Sequence, residues 1–224
     1  MKQVMGLLPR RTKRVIKWGS HIPLHRAILK TFPIHGILEL GAGIYSTKEF
    51  FSTSQRVISI ENDSEWVKKM RTLVKEDSTH KIVHHVLDNK NIQNGTLYGQ
   101  VSDDEVKNAV SFYKQYINDD VNMMFVDGYA CFRQPALQNL YGCFDVITYH
   151  DTEKPKLYGY NHFRNSLGYL HFVEKTFIAH TGLLIKLDFK ECIPLLMENL
   201  KKECEIHADY LNVEATVNIE EKKQ

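Results

Sequence analysis

A glycine turn that directly follows a short apolar run constrains this sequence more than any other feature. Residues 34–40 form the run, and Gly41-Ala42-Gly43 forms the turn. A second apolar run, residues 57–60, ends at Glu61, which follows Gly43 by 18 residues. Glycine lets a backbone approach a ligand where a side chain would collide, and an acid at the next strand end can accept both hydroxyls of a ribose. The pattern predicts a nucleoside-containing cofactor at one edge of a parallel sheet.

Strand-like and helix-like segments alternate along the chain and end in a hairpin. This order predicts an α/β fold, with a Rossmann-like, doubly wound, mostly parallel seven-stranded sheet and a C-terminal antiparallel hairpin. We expect this domain over residues 34–224, after a basic, helical N-terminal extension over residues 1–33. The predicted strands are residues 34–40, 57–60, 81–87, 121–126, 144–149, 169–177 and 183–188, and the predicted helices are residues 46–52, 64–75, 103–116, 135–140 and 192–204.

The net charge of +2 conceals an uneven distribution of charge along the sequence. The stretch before Glu39 contains eight lysines and arginines and no acid. One interpretation is a basic arm for an anionic partner such as nucleic acid, a sugar phosphate or a membrane surface. The other is a solvated helix that balances an acidic body. Residues 10–17 contain no aromatic side chain, which favours the second interpretation. No apolar run approaches the roughly 18 residues of a membrane span, so we expect no membrane span and a cytoplasmic chain.

Four predicted strands end in a carboxylate, and ligands of open α/β sheets bind at the carboxyl ends of the strands. The acids are Glu39 before the glycine turn, Glu61, Asp127 and Asp151, the last preceded by His150. The four acids therefore predict one site at this edge of the sheet.

The residues around the turn discriminate between two cofactors. A dinucleotide fingerprint needs a third glycine where this chain has Ser46, and Glu39 would repel a pyrophosphate. The cation S-adenosylmethionine carries an ammonium group that Glu39 would attract. We therefore predict S-adenosylmethionine, with a nicotinamide cofactor or an empty turn as alternatives. The predicted cofactor-binding residues are Glu39, Gly41, Ala42, Gly43, Thr47, Glu61 and Asn62.

Over roughly residues 34–188 the sequence resembles class I S-adenosylmethionine-dependent methyltransferases. Residues 39–43, Glu-Leu-Gly-Ala-Gly, match their first glycine motif, Glu61 matches their ribose-binding acid, and Asp88 falls where the family often holds the adenine. Residues 125–133 and 146–152 are similar to the sugar and natural-product O-methyltransferases of the macrocin and plant glucuronoxylan types. Those enzymes share an acid after strand four and a His-Asp pair after strand five. The resemblance implies O-methyl transfer to a saccharide or another small hydroxylated acceptor.

An alcohol is a poor nucleophile until its proton leaves, so the predicted catalytic residues are Asp127, His150 and Asp151. His150 could act as a general base, since its ordinary pKa lies near neutrality. Alternatively, Asp127 and Asp151 could hold Mg²⁺ or Mn²⁺, which would activate the acceptor oxygen, and this metal-assisted route is the one that we predict. Catechol O-methyltransferases have an Asn ligand after the second Asp, where this chain has Thr152. Glu153 is then the substitute candidate for the third ligand.

Candidate acceptor-binding residues surround the second half of the site. Sugar rings stack on aromatic faces, so Tyr158, Tyr160 and Phe163 could line the acceptor pocket, or could belong to a helix that packs on the sheet. Tyr129 is a further candidate, and Arg133 could bind a substrate anion or pair with Asp127.

Three other functions stay open. A nucleic-acid methyltransferase would use the basic arm, but the chain has Asp127-Gly128-Tyr129 in place of the Pro-Pro motif of amino-methylating enzymes. A non-catalytic binding module and an oxidoreductase are the remaining alternatives.

Overall fold

The computed structural model describes residues 19–93, 95–163, 168–177, 179–211 and 217–222. Most of the predicted basic arm, from Lys2 to Lys17, lies outside these ranges. Within them the helices are α1 (Ile22–Thr31), α2 (Ser46–Phe50), α3 (Ser64–Arg71), α4 (Asp103–Lys114), α5 (Ala130–Leu140), α6 (Pro155–Tyr158) and α7 (Ile193–Leu211). The strands are β1 (Gly36–Leu40), β2 (Arg56–Glu61), β3 (His80–His84), β4 (Met123–Val126), β5 (Val146–His150), β6 (Tyr169–Glu174), β7 (Thr181–Lys186) and β8 (Ile219–Glu221).

The strands form one sheet in the order β3-β2-β1-β4-β5-β7-β6-β8. The first five are parallel to their neighbours, and β7 runs antiparallel between β5 and β6. This order confirms the predicted doubly wound parallel core with an antiparallel C-terminal hairpin. The described part of the chain has eight strands, not the predicted seven, because β8 adds an antiparallel strand to the edge of β6.

Two helices differ in length from their sequence predictions. Helix α5 begins at Ala130 and contains Pro135, which we expected near its start. Helix α7 continues to Leu211, beyond the predicted end at Cys204. The physical reason for the longer α7 is a buried stripe that repeats every fourth residue and consists of Leu196, Leu200, Cys204 and Ala208.

Helices cover both faces of the sheet and produce two large cores, beside a smaller cluster that contains Val67 and Met70 of α3. Helices α4 and α5 pack on the face that carries Leu38, Leu40 and Val126. Helices α1 and α7 pack on the other face, which carries Ile37 and Phe125, and the two helices also contact each other. The residues of α1 that we assigned to an N-terminal extension are therefore part of the packed domain.

The two described cations of the basic stretch are paired with acids. Arg26 donates from Nε and Nη2 to Glu49, across 2.6 and 2.8 Å, and Lys30 contacts Glu203. These pairs agree with the interpretation that the basic stretch balances an acidic body, at least for Arg26 and Lys30. In the described ranges, every helix is too short or too polar to cross a membrane.

Candidate functional site

The site lies where the strand order reverses, between β1 and β4. The chain leaves β1 toward β2 on one side, while β4 and β5 lie on the other, and this reversal opens a crevice at the carboxyl ends of the strands. The amide of Asp127 donates to the carbonyl of Leu40 across 2.7 Å. Gly41 has φ +98°, and a Cβ there would lie 2.3 Å from the nitrogen of Gly128. Glycine at 41 is therefore required by the close approach of two strand ends.

On the side of β2, Glu61 is held at the rim of this crevice. Its Oε1 accepts from the backbone amides of Asn62 and Asp63, across 2.7 and 3.0 Å. Asp63 also caps α3 by accepting from the amides of Glu65 and Trp66. Burial raises the pKa of Glu61 to about 7. Backbone contacts thus orient this carboxylate before any ligand binds.

Glu39 lies behind the glycine turn, fully buried. Its Oε2 accepts from the hydroxyl of Thr47 across 2.7 Å and from the hydroxyl of Ser59, and the amide of Gly43 donates to Thr47 across 2.8 Å. Burial raises the pKa of Glu39 to about 7. Glu39 and Thr47 support the turn from behind, and direct contact of either one with a cofactor stays a prediction.

Three other predicted cofactor-binding residues, Asn62, Ala42 and Asp88, differ in their contacts and their exposure. Asn62 approaches Nδ1 of His85 at 3.0 Å, and the carbonyl of Ala42 accepts from Trp66 across 2.6 Å. Asp88 is exposed on the loop after β3. A small cavity lies beside the turn, and its lining includes Leu40, Gly41, Asn62, Gly128, Tyr129 and Arg133. The cavity lies between the glycine turn and the start of α5.

On the predicted acceptor side, Arg133 of α5 brings together two strand ends. Its Nη2 lies 2.7 Å from Oδ1 of Asp127, and its Nη1 lies 3.1 Å from Oδ2 of Asp151. Its Nε donates to the carbonyl of Gly128 across 2.7 Å. Asp151 has φ +61°, a left-handed conformation that Asp tolerates better than most residues. Of the two roles predicted for Arg133, the structure shows the pairing with Asp127.

His150 is buried beneath these carboxylates, with 2% of its surface exposed. Its Nδ1 faces Oδ1 of Asp127 at 3.5 Å, and its Nε2 lies 2.9 Å from the hydroxyl of Ser20. The side chain of Asp127 is 23% exposed. Asp127 is therefore the group that a ligand can touch, while His150 contacts Asp127 from the interior.

The charges of this cluster shift the pKa values in opposite directions. Burial alone would raise the pKa of Asp127, but the positive charge of Arg133 and the neighbouring His150 lower it to about 2. Burial alone would lower the pKa of His150, but the charge of Asp127 and the hydrogen bond to it raise this pKa above its ordinary value. The pair therefore favours an ionised Asp127 beside a protonated His150.

One atom each of Asp127, His150 and Asp151 lie within 4.8 Å of one another, a grouping that could hold a metal ion. The third member of this grouping is His150. Glu153, which we predicted as a substitute third ligand, is not a member, and its carboxylate accepts from the backbone amide of His180 across 3.0 Å. However, the guanidinium of Arg133 already contacts both carboxylates, and its charge would repel a divalent cation. A cation fits this donor set only if Arg133 withdraws.

The predicted aromatic residues are mostly covered. The guanidinium carbon of Arg133 lies 4.2 Å from the ring centroid of Tyr158, and the ring of Tyr160 lies 4.8 Å from that of Tyr149. Tyr158, Tyr160 and Phe163 are each at most 9% exposed, which agrees with the packing interpretation. Tyr129 lines the small cavity. Tyr158 stacks under Arg133 and so helps to hold the guanidinium.

Two residues of the site were missing from the sequence prediction. Ser20 contacts His150, and the ring of His21 lies 4.8 Å from that of His150 in an edge-on arrangement. A signal was present, because His21 and His25 are four residues apart and so share one helical face with the apolar Leu24 and Ile28. A face of this composition indicates buried polar groups beneath the helix.

No protein-family model matches this sequence, and no curated protein matches it. Among solved structures, it is similar to an rRNA methylase from Streptococcus thermophilus, with 12% identity and a TM-score of 0.47 over 75% of this chain and 95% of the other. It is also similar to a methyltransferase-like protein from Silicibacter pomeroyi, with 13% identity and a TM-score of 0.45 over 81% and 93%. A third structure, EvdMO1, has 16% identity and a TM-score of 0.36 over 73% and 40%. These are distant likenesses, and none bears on the substrate.

Proposed function

We propose that this chain is an S-adenosylmethionine-dependent O-methyltransferase that acts on a hydroxyl group of a saccharide or another small hydroxylated acceptor. The observation that carries this proposal is the position of Asp127. Its carboxylate is the partly exposed member of a buried charged cluster, and its backbone is bonded to the strand that bears the glycine turn.

The donor would lie across the carboxyl ends of β1 and β2. Glu61, which is oriented by the amides of Asn62 and Asp63, would accept the ribose hydroxyls. The backbone of residues 41–43 would approach the methionine part of the donor. Bound S-adenosylmethionine would supply an electrophilic methyl group on a sulfonium. Asp127 lies beside the glycine turn, because its amide donates to the carbonyl of Leu40.

The acceptor hydroxyl would donate to the carboxylate of Asp127, which directs an oxygen lone pair at the methyl group. A carbon–oxygen bond would form as the carbon–sulfur bond of the donor breaks, and the hydroxyl proton would pass by way of Asp127 to His150 in molecules in which His150 is neutral. His150 is the member of this pair with an ordinary pKa near neutrality, and it lies 3.5 Å from Asp127. Arg133 keeps Asp127 ionised and fixed in place.

A metal-assisted version of the same reaction is the second candidate, supported by the grouping of Asp127, His150 and Asp151. A divalent cation held by these residues would lower the pKa of an acceptor hydroxyl. Arg133 counts against it, since a buried guanidinium released from two carboxylates would lose most of its partners. We therefore expect methyl transfer to survive dialysis against EDTA. Loss of activity with EDTA and recovery with Mn²⁺ or Mg²⁺ would support the metal-assisted version instead.

Calorimetry with S-adenosylmethionine and with its demethylated product tests the donor. We expect binding of both, and no heat at hundreds of micromolar would contradict the proposal. Transfer of a labelled methyl group to a panel of saccharides and small hydroxylated compounds tests the acceptor. Asp127→Asn should abolish most of the transfer, whereas the control Asp119→Asn, which changes an exposed acid, should not affect it.

A further inference from the structure

The residues just before α1 reach into the candidate site from a distant part of the chain. Ser20 is fully buried, and its Oγ lies 2.9 Å from Nε2 of His150, which is 130 positions away in sequence. The two residues that follow it, His21 and Ile22, are buried as well. A buried hydroxyl beside a buried imidazole needs a polar partner, and each of these groups satisfies the other.

The packing of α1 determines where this hydroxyl lies. Leu24, Ala27 and Ile28 of α1 are fully buried, and the ring of His21 lies 5.0 Å from that of Phe125 on β4. The N-terminal end of α1 is therefore anchored to the sheet by core contacts. Ser20 therefore has a fixed position relative to β4 and β5. A side chain can orient the imidazole of His150 only if its own position is fixed in this way.

His150 has a polar contact on each side of its ring. Nδ1 faces Asp127 at 3.5 Å, and Asp127 is itself held by Arg133 across 2.7 Å. The resulting order of Ser20, His150 and Asp127 resembles a nucleophilic triad in its connectivity. However, a nucleophile must reach its substrate, and Ser20 has no exposed surface. The hydroxyl is therefore placed to act on the imidazole and not on a substrate.

We propose that Ser20 is a positioning residue of the site, whose hydroxyl holds the imidazole of His150 with Nδ1 toward Asp127. The catalytic consequence of this inference rests on the proposed methyl transfer. A hydroxyl can donate or accept, so it remains a partner for Nε2 whether or not that nitrogen carries a proton. Without it, the imidazole can rotate about its Cβ–Cγ bond and turn Nδ1 away from Asp127.

Nitrogen NMR of the His150 ring at one fixed pH measures this contact without any assay of activity. The signals are assigned by their loss in His150→Gln. We compare the wild-type protein with Ser20→Ala, with Ser20→Thr, which keeps the hydroxyl, and with the exposed control Ser54→Ala. Ser20→Ala should shift the Nε2 signal and broaden both ring signals, since the ring now exchanges between orientations. Ser20→Thr should recover the wild-type signals, and Ser54→Ala should not alter them.

Kinetics provide the second measurement. Loss of one hydrogen bond to an ionisable group should lower kcat about tenfold in Ser20→Ala. KM for S-adenosylmethionine should change little, because Ser20 lies on the acceptor side. Ser20→Thr should recover most of kcat. If Ser20→Ala does not fold, Ser20→Cys replaces it, and the weaker thiol partner should shift the same signals in the same direction.

The proposal is overturned if His150 gives wild-type ring signals in folded Ser20→Ala or Ser20→Cys. Labelling of Ser20 by a fluorophosphonate probe would also overturn it, since this would reveal an accessible nucleophile. If no form of the protein binds the donor or transfers methyl, the proposed function fails, while the NMR comparison still decides whether Ser20 orients His150.

Discussion

Arg133 donates from Nη2 to the carboxylate of Asp127 across 2.7 Å, so the most exposed acid of the site is already paired in the free protein. The same guanidinium contacts Asp151 and lies over the ring of Tyr158. The negative charges of Asp127 and Asp151 are thereby balanced by the positive charge of Arg133 together with that of protonated His150, whose pKa is raised by Asp127. The cluster is nearly neutral before a ligand arrives, which suits an uncharged hydroxyl better than an anionic acceptor.

Replacing Arg133 should destabilise the whole domain. Arg133→Met leaves two carboxylates without their cation in a buried setting, and we expect a loss of about 3–5 kcal/mol in the free energy of unfolding. Urea denaturation measures it. The control is Arg56→Met, which removes an exposed pair with Asp120 and should cost no more than about 0.5 kcal/mol. Equal losses in the two variants would contradict a structural role for the buried pair.

Glu61 and Glu39 should differ in their effect on donor binding. Glu61→Gln removes the charge that would accept the ribose hydroxyls, and charge-assisted hydrogen bonds are worth about 1.5–3 kcal/mol. We therefore expect Kd for S-adenosylmethionine to rise about tenfold or more. Glu39→Gln should raise Kd less, because Glu39 faces Thr47 and Ser59. Calorimetry measures both, and a larger effect of Glu39→Gln would show that Glu39 contacts the donor.

The rate of methyl transfer should rise with pH. Burial lowers the pKa of His150, but the charge of Asp127 outweighs burial and raises this pKa above its ordinary value of 6.5. A protonated His150 can accept a proton only after it loses its own. We expect kcat to increase through an apparent pKa above 6.5 and then to level off. The contribution of His150 to stability has the opposite trend, since it is complete below the pKa of His150 in the unfolded chain and is lost as pH rises through its pKa in the folded protein.

His150→Gln is the control for this profile and should flatten the rise in kcat while leaving a low residual rate. A rise of the same shape in His150→Gln would assign the titration to another group.

Deletion of residues 1–18 tests the nucleic-acid alternative. If the basic arm binds RNA or DNA, the full chain should show steeply salt-dependent binding that the deletion removes. The deletion has to stop before Gly19, because Ser20 contacts His150. Under the proposed function, the shortened chain should methylate small acceptors at nearly the rate of the full chain. Loss of small-acceptor activity together with nucleic-acid binding would favour the alternative.

Local sequence patterns predict much of this architecture, because several strands can be recognised as apolar runs that end at an acid. Glu61, Asp127 and Asp151 each follow an apolar run, and parallel strands place such ends at one edge of a sheet. The contact between Ser20 and His150 has no comparable signal, since it joins residues 130 positions apart and depends on how α1 packs against α7. The role of Arg133 could be predicted only in part. Its pairing with Asp127 is one of the two predicted roles and is visible only from the geometry of α5, while the binding of a substrate anion stays a prediction.

The contact of Gly41 with Gly128 has a consequence for redesign of the protein. A Cβ at Gly41 would meet the backbone of Gly128 at 2.3 Å, so main-chain atoms alone set the separation of β1 and β4. The span from the glycine turn to Asp127 is then independent of the side chains that surround the acceptor. Substitutions at the exposed residues 153–156 should therefore leave the distance from the glycine turn to Asp127 unchanged, whereas any residue larger than glycine at 41 should alter it.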